Sequence, residues 1–185
     1  MTCGPGTVGG SVFGNAGRQG QAIGECVEEV TLLDPAGQVV TRKKDDIHFA
    51  YRRSDLEGIV LETCLKTHPE DPLRIEKRSR DYLRYKQATQ DFRHSNAGCI
   101  FKNPPPPHRG AGELIERVGL KGYRVGDAHV STIHANFIVN LGKARASEVE
   151  TVMETVRARV HAAEGVWLEP EIRPLQGISY EVTYK

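Results

Sequence analysis

The chain has 185 residues, a formal net charge of +1, and 38% hydrophobic and 26% charged residues. These values fit one ordinary domain or two small ones with a real core, and they do not indicate nucleic acid, a membrane surface or an acidic partner. The four cysteines, Cys3, Cys26, Cys64 and Cys99, form no Cys-x-x-Cys pair, which argues against a disulfide framework and a zinc site. No signal-peptide pattern or apolar span is visible, so we expect a cytoplasmic protein.

Residues 4–17 contain many glycines, and we expect them to form no packed element. A domain seldom begins with such a segment, so a preceding part of the protein is expected to be missing. Glycines open conformations in which backbone N–H groups can bind a phosphate closely. A tight structural loop explains the same glycines equally well.

The next segments predict three strands. Val27–Leu33 is followed by the turn Asp34–Gly37 and by a returning strand over Gln38–Arg42, and a third strand is expected at Ile59–Leu65. The turn residues between the first two strands predict a hairpin.

Asp71 and Pro72 are typical of a helix cap and a first helical position, so a charged helix is predicted from there towards Gln87. The wider segment 74–94 is basic and contains tyrosines, which would also suit RNA. Acidic residues interrupt it, namely Glu76, Asp81 and Asp91. A solvated helix is therefore the preferred interpretation.

The sequence changes character after the proline run Pro104–Pro107. A subdomain boundary is expected before it, near residue 95. A short helix is predicted over Gly112–Val118, ending at Gly119. Strands are predicted over Tyr123–Val130 and Asn136–Leu141.

The clearest predicted helix begins at a Ser-x-x-Glu capping box formed by Ser147 and Glu150, and it ends at Gly165. Apolar residues follow it at helical spacing: Val149, Val152, Met153, Val156 and Val160. This stripe predicts core packing. Val166–Ile172 and Ile178–Thr183 read as extended segments, and the fold class is α+β.

Five short motifs occur in order along the chain. They are Gly-Pro-Gly-Thr-Val-Gly-Gly at 4–10 with Asn-Ala-Gly at 15–17, Tyr-Arg-Arg-Ser at 51–54, Asn-Ala-Gly-Cys-Ile-Phe-Lys-Asn-Pro at 96–104, His-Ala-Asn-Phe-Ile-Val-Asn at 134–140, and Leu-Glu-Pro-Glu-Ile-Arg at 168–173. In this combination they resemble the UDP-N-acetylenolpyruvoylglucosamine reductases, also called UDP-N-acetylmuramate dehydrogenases.

The resemblance implies a flavoenzyme of peptidoglycan synthesis that uses FAD and NADPH to reduce UDP-N-acetylglucosamine enolpyruvate. It also implies the architecture: residues 1–94 as part of an FAD-binding α+β domain, 95–165 as a small α+β substrate-binding domain, and 166–185 as a tail returning to the first domain. Members of the family begin with a further flavin-binding lobe, and this chain starts after it.

The resemblance places three catalytic roles. Arg52 corresponds to the arginine that polarises the substrate, Cys99 to the proton donor, and Glu171 to the stabilising glutamate. Cys99 stands where many members have serine, and a thiol is the better proton donor near neutral pH. Glu171 is expected to be protonated or paired with Arg52, while the neighbouring Glu169 is expected to be solvated.

The remaining site residues also follow from the resemblance. Tyr51, Lys102 and Asn103 correspond to substrate contacts. The cofactor-binding positions are Gly6, Thr7, Val8, Gly9, Gly10, Asn15 and Gly17. No metal is expected, and His134 is interpreted as a packed residue because no second metal ligand lies at a suitable spacing.

Two other functions stay open. The chain could be a non-catalytic UDP-sugar-binding remnant that no longer holds flavin, or another flavoenzyme of the same FAD fold. The motif at 99–104 disfavours the latter, since it belongs to the substrate side.

Overall fold

A computed structural model describes residues 6–18 and 20–173 of the chain. The chain divides into two compact units, Met1–Leu83 and Arg84–Lys185. Helices and sheets are both present, which confirms the predicted α+β class. The predicted domain limits after residues 94 and 165 stay predictions, and the extended segment predicted over Ile178–Thr183 lies outside the described residues.

The first unit is built mainly from short strands. Its elements are α1 (Val8–Phe13), β1 (Gly17–Arg18), β2 (Gln21–Ala22), β3 (Val27–Leu33), β4 (Val39–Lys43), β5 (Phe49–Ala50), β6 (Arg53–Ser54) and β7 (Ile59–Leu65), with 3-10 turns at Ile23–Glu25 and Lys44–Asp46. An antiparallel sheet has the order β4-β3-β7. The three predicted strands are confirmed, the second with its bounds moved by one residue.

One face of this sheet and α1 form a small core. Its buried members are Val12, Ile23, Val27, Val30, Leu32, Ile47 and Leu56. Alternation along β3 explains the packing, because Val30 and Leu32 point inward while Thr31 pairs with Thr41 on the other face, with their hydroxyl oxygens 3.1 Å apart. β-branched residues suit such half-buried strands.

Val8–Phe13 of the glycine-rich segment form a packed helix, so the prediction that the segment forms no packed element is wrong. Thr7 caps α1, since its hydroxyl accepts from the Gly10 N–H at 3.0 Å, and Val12 is fully buried. Gly9 allows α1 to approach β7, because a Cβ atom there would lie 3.3 Å from the Val60 Cβ. Capping and close packing therefore outweigh the low helix propensity of glycine.

Helix α2 covers Pro72–Thr89 and begins at the predicted cap. The Asp71 carboxylate accepts from the Leu73 N–H at 3.0 Å. Most of its residues are exposed, which confirms the predicted solvated helix. No helix in the described part of the chain is long and apolar enough to cross a membrane.

The second unit packs two helices on a four-stranded antiparallel sheet. Its elements are β8 (Ser95–Cys99), α3 (Ala111–Arg117), β9 (Arg124–Val125), β10 (Ala128–Val130), β11 (Phe137–Asn140) and α4 (Ala146–Glu164), and the sheet order is β8-β11-β10-β9. The predicted apolar stripe of α4 faces the core, where Val152, Met153, Val156 and Val160 are buried. Helix α4 ends at Gly165 in the left-handed conformation, as predicted.

Two details of the second unit differ from the predictions. Tyr123–Val130 contains two short strands joined by a turn, in which Gly126 has a φ of 55°. The capping residues of α4 lie two positions earlier than Ser147 and Glu150. Glu148 accepts from the Arg145 N–H at 3.1 Å, so the carboxylate reaches back over the first turn from there.

Candidate active site

Tyr51 and Arg52 form the two-residue loop of the β5–β6 hairpin, in which Ala50 pairs with Arg53. Arg52 has a φ of 58°, a conformation that residues with a side chain rarely adopt. Its guanidinium donates to the Gly17 carbonyl at 2.7 Å and lies 5.3 Å from the centre of the Tyr51 ring. The hairpin loop and this hydrogen bond fix the position of the Arg52 guanidinium within the first unit.

Asn15 binds the same hairpin through its side chain. Its side-chain amide donates to the Ala50 carbonyl at 2.8 Å and accepts from the Gly24 N–H at 3.0 Å. The residue is buried and has a φ of 44°. Its predicted contact with a cofactor stays a prediction, but the structure gives its amide group an additional role in the fold.

The other predicted cofactor-binding residues fall into two groups. Gly6, Thr7, Val8 and Gly10 are exposed, and apart from Gly6 and its chain neighbours no atom of the described chain lies within 4 Å of a Cβ built on Gly6. Gly9 and Gly17 serve packing, since a Cβ on Gly17 would lie 2.5 Å from the Gln21 carbonyl oxygen. Within the exposed group, the Gly10 N–H donates to the Thr7 hydroxyl, and the predicted contact of these residues with a cofactor stays a prediction.

Cys99 ends β8 and is half-buried. It pairs with Phe137 of β11, where the register shifts, and Gly98 before it has a φ of 81°. The Gly98 N–H donates to the Asn96 side chain at 3.0 Å. The strand therefore leaves its regular path at the residue that is predicted to donate a proton.

The segment after Cys99 pairs with the tail that carries both glutamates. The Lys102 N–H donates to the Glu169 carbonyl at 2.8 Å, and the Glu171 N–H donates to the Ile100 carbonyl at 2.7 Å. Together these bonds make a short antiparallel ladder. Within the second unit, the structure therefore places Cys99 and Lys102 on one segment and Glu171 on the segment that pairs with it.

Glu169 and Lys102 form an ion pair across this ladder. The Glu169 side chain is 69% exposed and that of Lys102 is 20% exposed. Glu169 is thus solvated, as predicted, and in addition it contacts the lysine that was predicted to bind substrate.

Asn103 has a structural role that sequence reasoning missed. Its side-chain oxygen accepts from the Ala111 N–H at 2.9 Å, at the beginning of α3. It thus satisfies one of the backbone donors that a helix beginning leaves without a partner in the helix. A substrate contact by Asn103 stays a prediction.

Comparison with known proteins agrees with these motifs. Residues 90–175 match the family described as UDP-N-acetylenolpyruvoylglucosamine reductase, C-terminal domain. UDP-N-acetylenolpyruvoylglucosamine reductase 2 of Symbiobacterium thermophilum is 45% identical over 172 residues, covering 91% of this chain and 55% of the relative. The reductase of Synechococcus sp. strain RCC307 is 40% identical over 176 residues, covering 92% and 57% respectively.

The crystal structure of the UDP-N-acetylenolpyruvylglucosamine reductase from Thermus caldophilus superposes with a TM-score of 0.76 at 37% identity, covering 90% of this chain and 59% of that one. Over about nine tenths of its length, the chain is similar to UDP-N-acetylenolpyruvoylglucosamine reductases. It spans about half the length of the curated relatives that it matches.

The reductase motifs did not indicate the buried network around Asp91. Its carboxylate accepts from the Ser131 hydroxyl at 2.8 Å and from the side chain of Arg93, and the Asp91 carbonyl accepts from Asn96 at 2.8 Å. Hydrogen bonds from Arg93, and then from Ser131, hold the pKa of Asp91 well below its usual range. The network joins the start of β8 to the turn before β11. A lone aspartate after a helix gives no sequence signal for such a role.

His134 is a packed residue, as the sequence predicts. Its ring centre lies 4.7 Å from that of Phe137, and its Nδ1 accepts from the Asn136 N–H at 3.2 Å. Burial lowers the pKa of His134. Among the described residues, no group of three or more His, Cys, Asp or Glu side chains could hold a metal ion.

Proposed function

We propose that this chain carries substrate-side groups of a reductase that converts UDP-N-acetylglucosamine enolpyruvate to UDP-N-acetylmuramate in peptidoglycan synthesis. The observation that carries the proposal is the ladder between the Cys99 segment and the tail, since it places the Glu171 backbone 2.7 Å from the Ile100 carbonyl, next to Cys99. The names of the relatives support the same reaction.

The chemistry needs a cation and an acid. Hydride adds to the methylene carbon of the unsaturated carboxylate, and the electron pair of the double bond moves towards the carboxylate as an enolate. The Cys99 thiol then gives its proton to the neighbouring carbon, and the thiolate is reprotonated from solvent. A thiol has an ordinary pKa of about 8.5, so it is protonated at neutral pH and can still act as an acid.

Arg52 is the group that would stabilise the enolate. A guanidinium stays charged and can bind a carboxylate through two parallel hydrogen bonds. The hydrogen bond from Arg52 to the Gly17 carbonyl restricts the side chain before substrate arrives, which favours electrostatic stabilisation by a preorganised group. Glu171 is the stabilising glutamate of this proposal.

The cofactors belong to this proposal as well. FAD, when bound, would supply the hydride, which NADPH provides in turn. The exposed residues Gly6, Thr7, Val8 and Gly10 would hold part of the FAD, because glycine-rich backbone at the beginning of a helix suits an anionic group. Tyr51, Lys102 and Asn103 would contact the UDP-sugar, with Lys102 supplying a positive charge for phosphate or carboxylate.

The deciding experiment is an absorbance spectrum of the purified chain after incubation with FAD and desalting, followed by addition of NADPH and the enolpyruvyl UDP-sugar. Retained flavin and formation of UDP-N-acetylmuramate by mass spectrometry are expected. Loss of flavin with calorimetric binding of the UDP-sugar would favour the non-catalytic alternative instead.

Paired variants of the two glutamates test the assignment within the tail. Glu171→Gln should slow sugar reduction strongly, whereas Glu169→Gln should mainly weaken substrate binding through its partner Lys102. Equal rates of sugar reduction in the two variants at saturating substrate would remove Glu171 from the mechanism.

A further inference from the structure

Asn136 lies in the turn before β11 and is almost completely buried, with 3% of its surface exposed. Its side-chain oxygen accepts from the Phe101 N–H at 3.0 Å, and its side-chain nitrogen donates to the Phe101 carbonyl at 2.8 Å. Both backbone groups of Phe101 are therefore bound by one amide side chain. The backbone carbonyl of Asn136 also accepts from the Ile100 N–H at 2.9 Å.

This arrangement imitates a neighbouring strand. A strand residue offers one N–H and one C=O to its partner, and a primary amide offers the same pair of groups. On its opposite edge, the segment containing Phe101 pairs with the tail, and Phe101 forms an antiparallel bridge with Pro170. The segment containing Phe101 thus lies between the side chain of Asn136 on one edge and the tail that carries Glu171 on the other.

We infer that Asn136 is a positioning residue that sets the placement of Cys99 and of the Glu171 tail at once. The inference rests on the proposed function in that it treats Cys99 and Glu171 as the reacting and stabilising groups. Asn136 acts through Phe101 and Ile100. Its amide holds the segment that begins at Cys99, and the same segment supplies the Ile100 carbonyl that binds the Glu171 N–H.

The amide of asparagine satisfies both contacts at once. An ionised aspartate of the same shape accepts from the Phe101 N–H but cannot donate to its carbonyl, and glutamine is longer by one methylene. A buried carbonyl that loses its donor is costly. Asn136→Asp should therefore loosen the ladder without changing the volume of the side chain.

Asn140, the last residue of β11, offers a matched control. Its side-chain oxygen accepts from the Gly142 N–H at 2.8 Å and from the Ala144 N–H at 2.9 Å. An aspartate can accept both bonds, so Asn140→Asp introduces the same charge and keeps these contacts.

The test measures the pH profile of Cys99 alkylation in a chain whose other three cysteines are replaced by serine, together with amide hydrogen exchange of residues 99–103 and 168–172. In Asn136→Asp the exchange should rise on the order of ten-fold, as expected for one lost hydrogen bond, and the midpoint of the alkylation profile should move. Asn140→Asp should resemble the parent in both. Asn136→Ser, which loses both bonds without adding charge, should behave like Asn136→Asp.

The fluorescence of Trp167, the single tryptophan, shows whether the variants stay folded. Its ring contacts Arg157 and His161 of α4. A folded Asn136→Asp variant with the alkylation midpoint and exchange rates of Asn140→Asp would overturn the inference.

Neither measurement requires flavin or substrate. A chain that binds neither FAD nor the UDP-sugar but shows these shifts would end the proposed function and leave the positioning role intact. In an active preparation, Asn136→Asp should lower kcat for sugar reduction while NADPH still reduces the flavin at the parental rate, a split that a purely structural role would not produce.

Discussion

Cys99 is the residue on which the proposed chemistry depends most directly. It ends β8 where the register with β11 shifts, and the glycine before it takes a left-handed conformation. A side chain at such an irregularity is redirected relative to a regular strand, a common device next to active sites. The flanking motif predicted its importance, but the irregular geometry depends on pairing with a strand that lies far away in sequence.

Substitutions of Cys99 separate the two halves of the proposed reaction. Cys99→Ala should permit reduction of the flavin by NADPH but slow sugar reduction by about 10²-fold or more, because it removes the proton donor. Cys99→Ser should keep measurable turnover. Stopped-flow absorbance of the flavin, with and without the UDP-sugar, measures both steps. Equal losses in the alanine and serine variants would exclude the thiol from proton transfer.

The backbone of Arg52 lies in the left-handed region, which is strained for a residue with a side chain. A residue with a Cβ pays roughly 1–2 kcal/mol in the left-handed region, whereas glycine does not. Arg52→Gly should therefore be more stable than Arg52→Ala by about 1 kcal/mol in urea unfolding. Both variants lack the guanidinium, so their difference isolates the backbone.

Arg53 provides the matched comparison for Arg52. It lies in β6, is exposed and has no positive φ. There glycine should be less stable than alanine by roughly 0.5–1 kcal/mol, because it loses more conformational freedom on folding. If the glycine and alanine variants rank alike at positions 52 and 53, the strain assigned to Arg52 is absent.

At the scale of elements, prediction succeeded where local chemistry and burial agree. β3 and β7 contain branched residues that suit a half-buried sheet, and Asp71 caps α2 through a bond to the Leu73 N–H. It failed for α1, in which Gly9 packs closely against Val60. It also did not predict β8, where Ser95 to Cys99 has little strand propensity and depends on pairing with β11. Contacts distant in sequence decided both cases.

The beginning of α4 offers a test of this lesson. Glu148 accepts from the Arg145 N–H, which lowers its pKa, and its carboxylate also accepts from the Asp127 N–H. Glu150, which the sequence had suggested for the capping role, is exposed. Glu148→Gln should lower the melting temperature at neutral pH, and Glu150→Gln should not.

The pH dependence strengthens this test. Because the pKa of Glu148 is lower in the folded state, its contribution is present above the ordinary value of about 4.3 and is lost as the pH falls through the folded-state pKa. The melting temperatures of the parent and of Glu148→Gln should therefore converge in acid. If Glu150→Gln lowers the melting temperature more than Glu148→Gln does, Glu150 is the capping residue, as the sequence predicts.

At the scale of the whole molecule, the family motifs predicted site residues in both units but not the structural roles of the buried polar residues. Asp91, Asn136 and Asn15 bind backbone groups and neighbouring side chains, and their roles follow from distances that no local pattern encodes. Buried polar residues of this kind are usually fully hydrogen-bonded, since an unsatisfied group is costly. They connect the stability of each unit to the geometry of its predicted catalytic residues.

This connection predicts how stability changes with pH. Burial lowers the pKa of His134, and its Nδ1 accepts from the Asn136 N–H, so the folded chain favours the neutral imidazole. The unfolded chain binds a proton near pH 6.5, which favours unfolding progressively as the pH falls below that value. The melting temperature should therefore fall between pH 7 and pH 5, and His134→Gln should reduce that decrease. Scanning calorimetry with circular dichroism at pH 8, to verify folding, gives the comparison. If the melting temperature of His134→Gln falls as much as that of the parent, other groups cause the decrease. The turn that holds Asn136 is then not the acid-sensitive part of the fold.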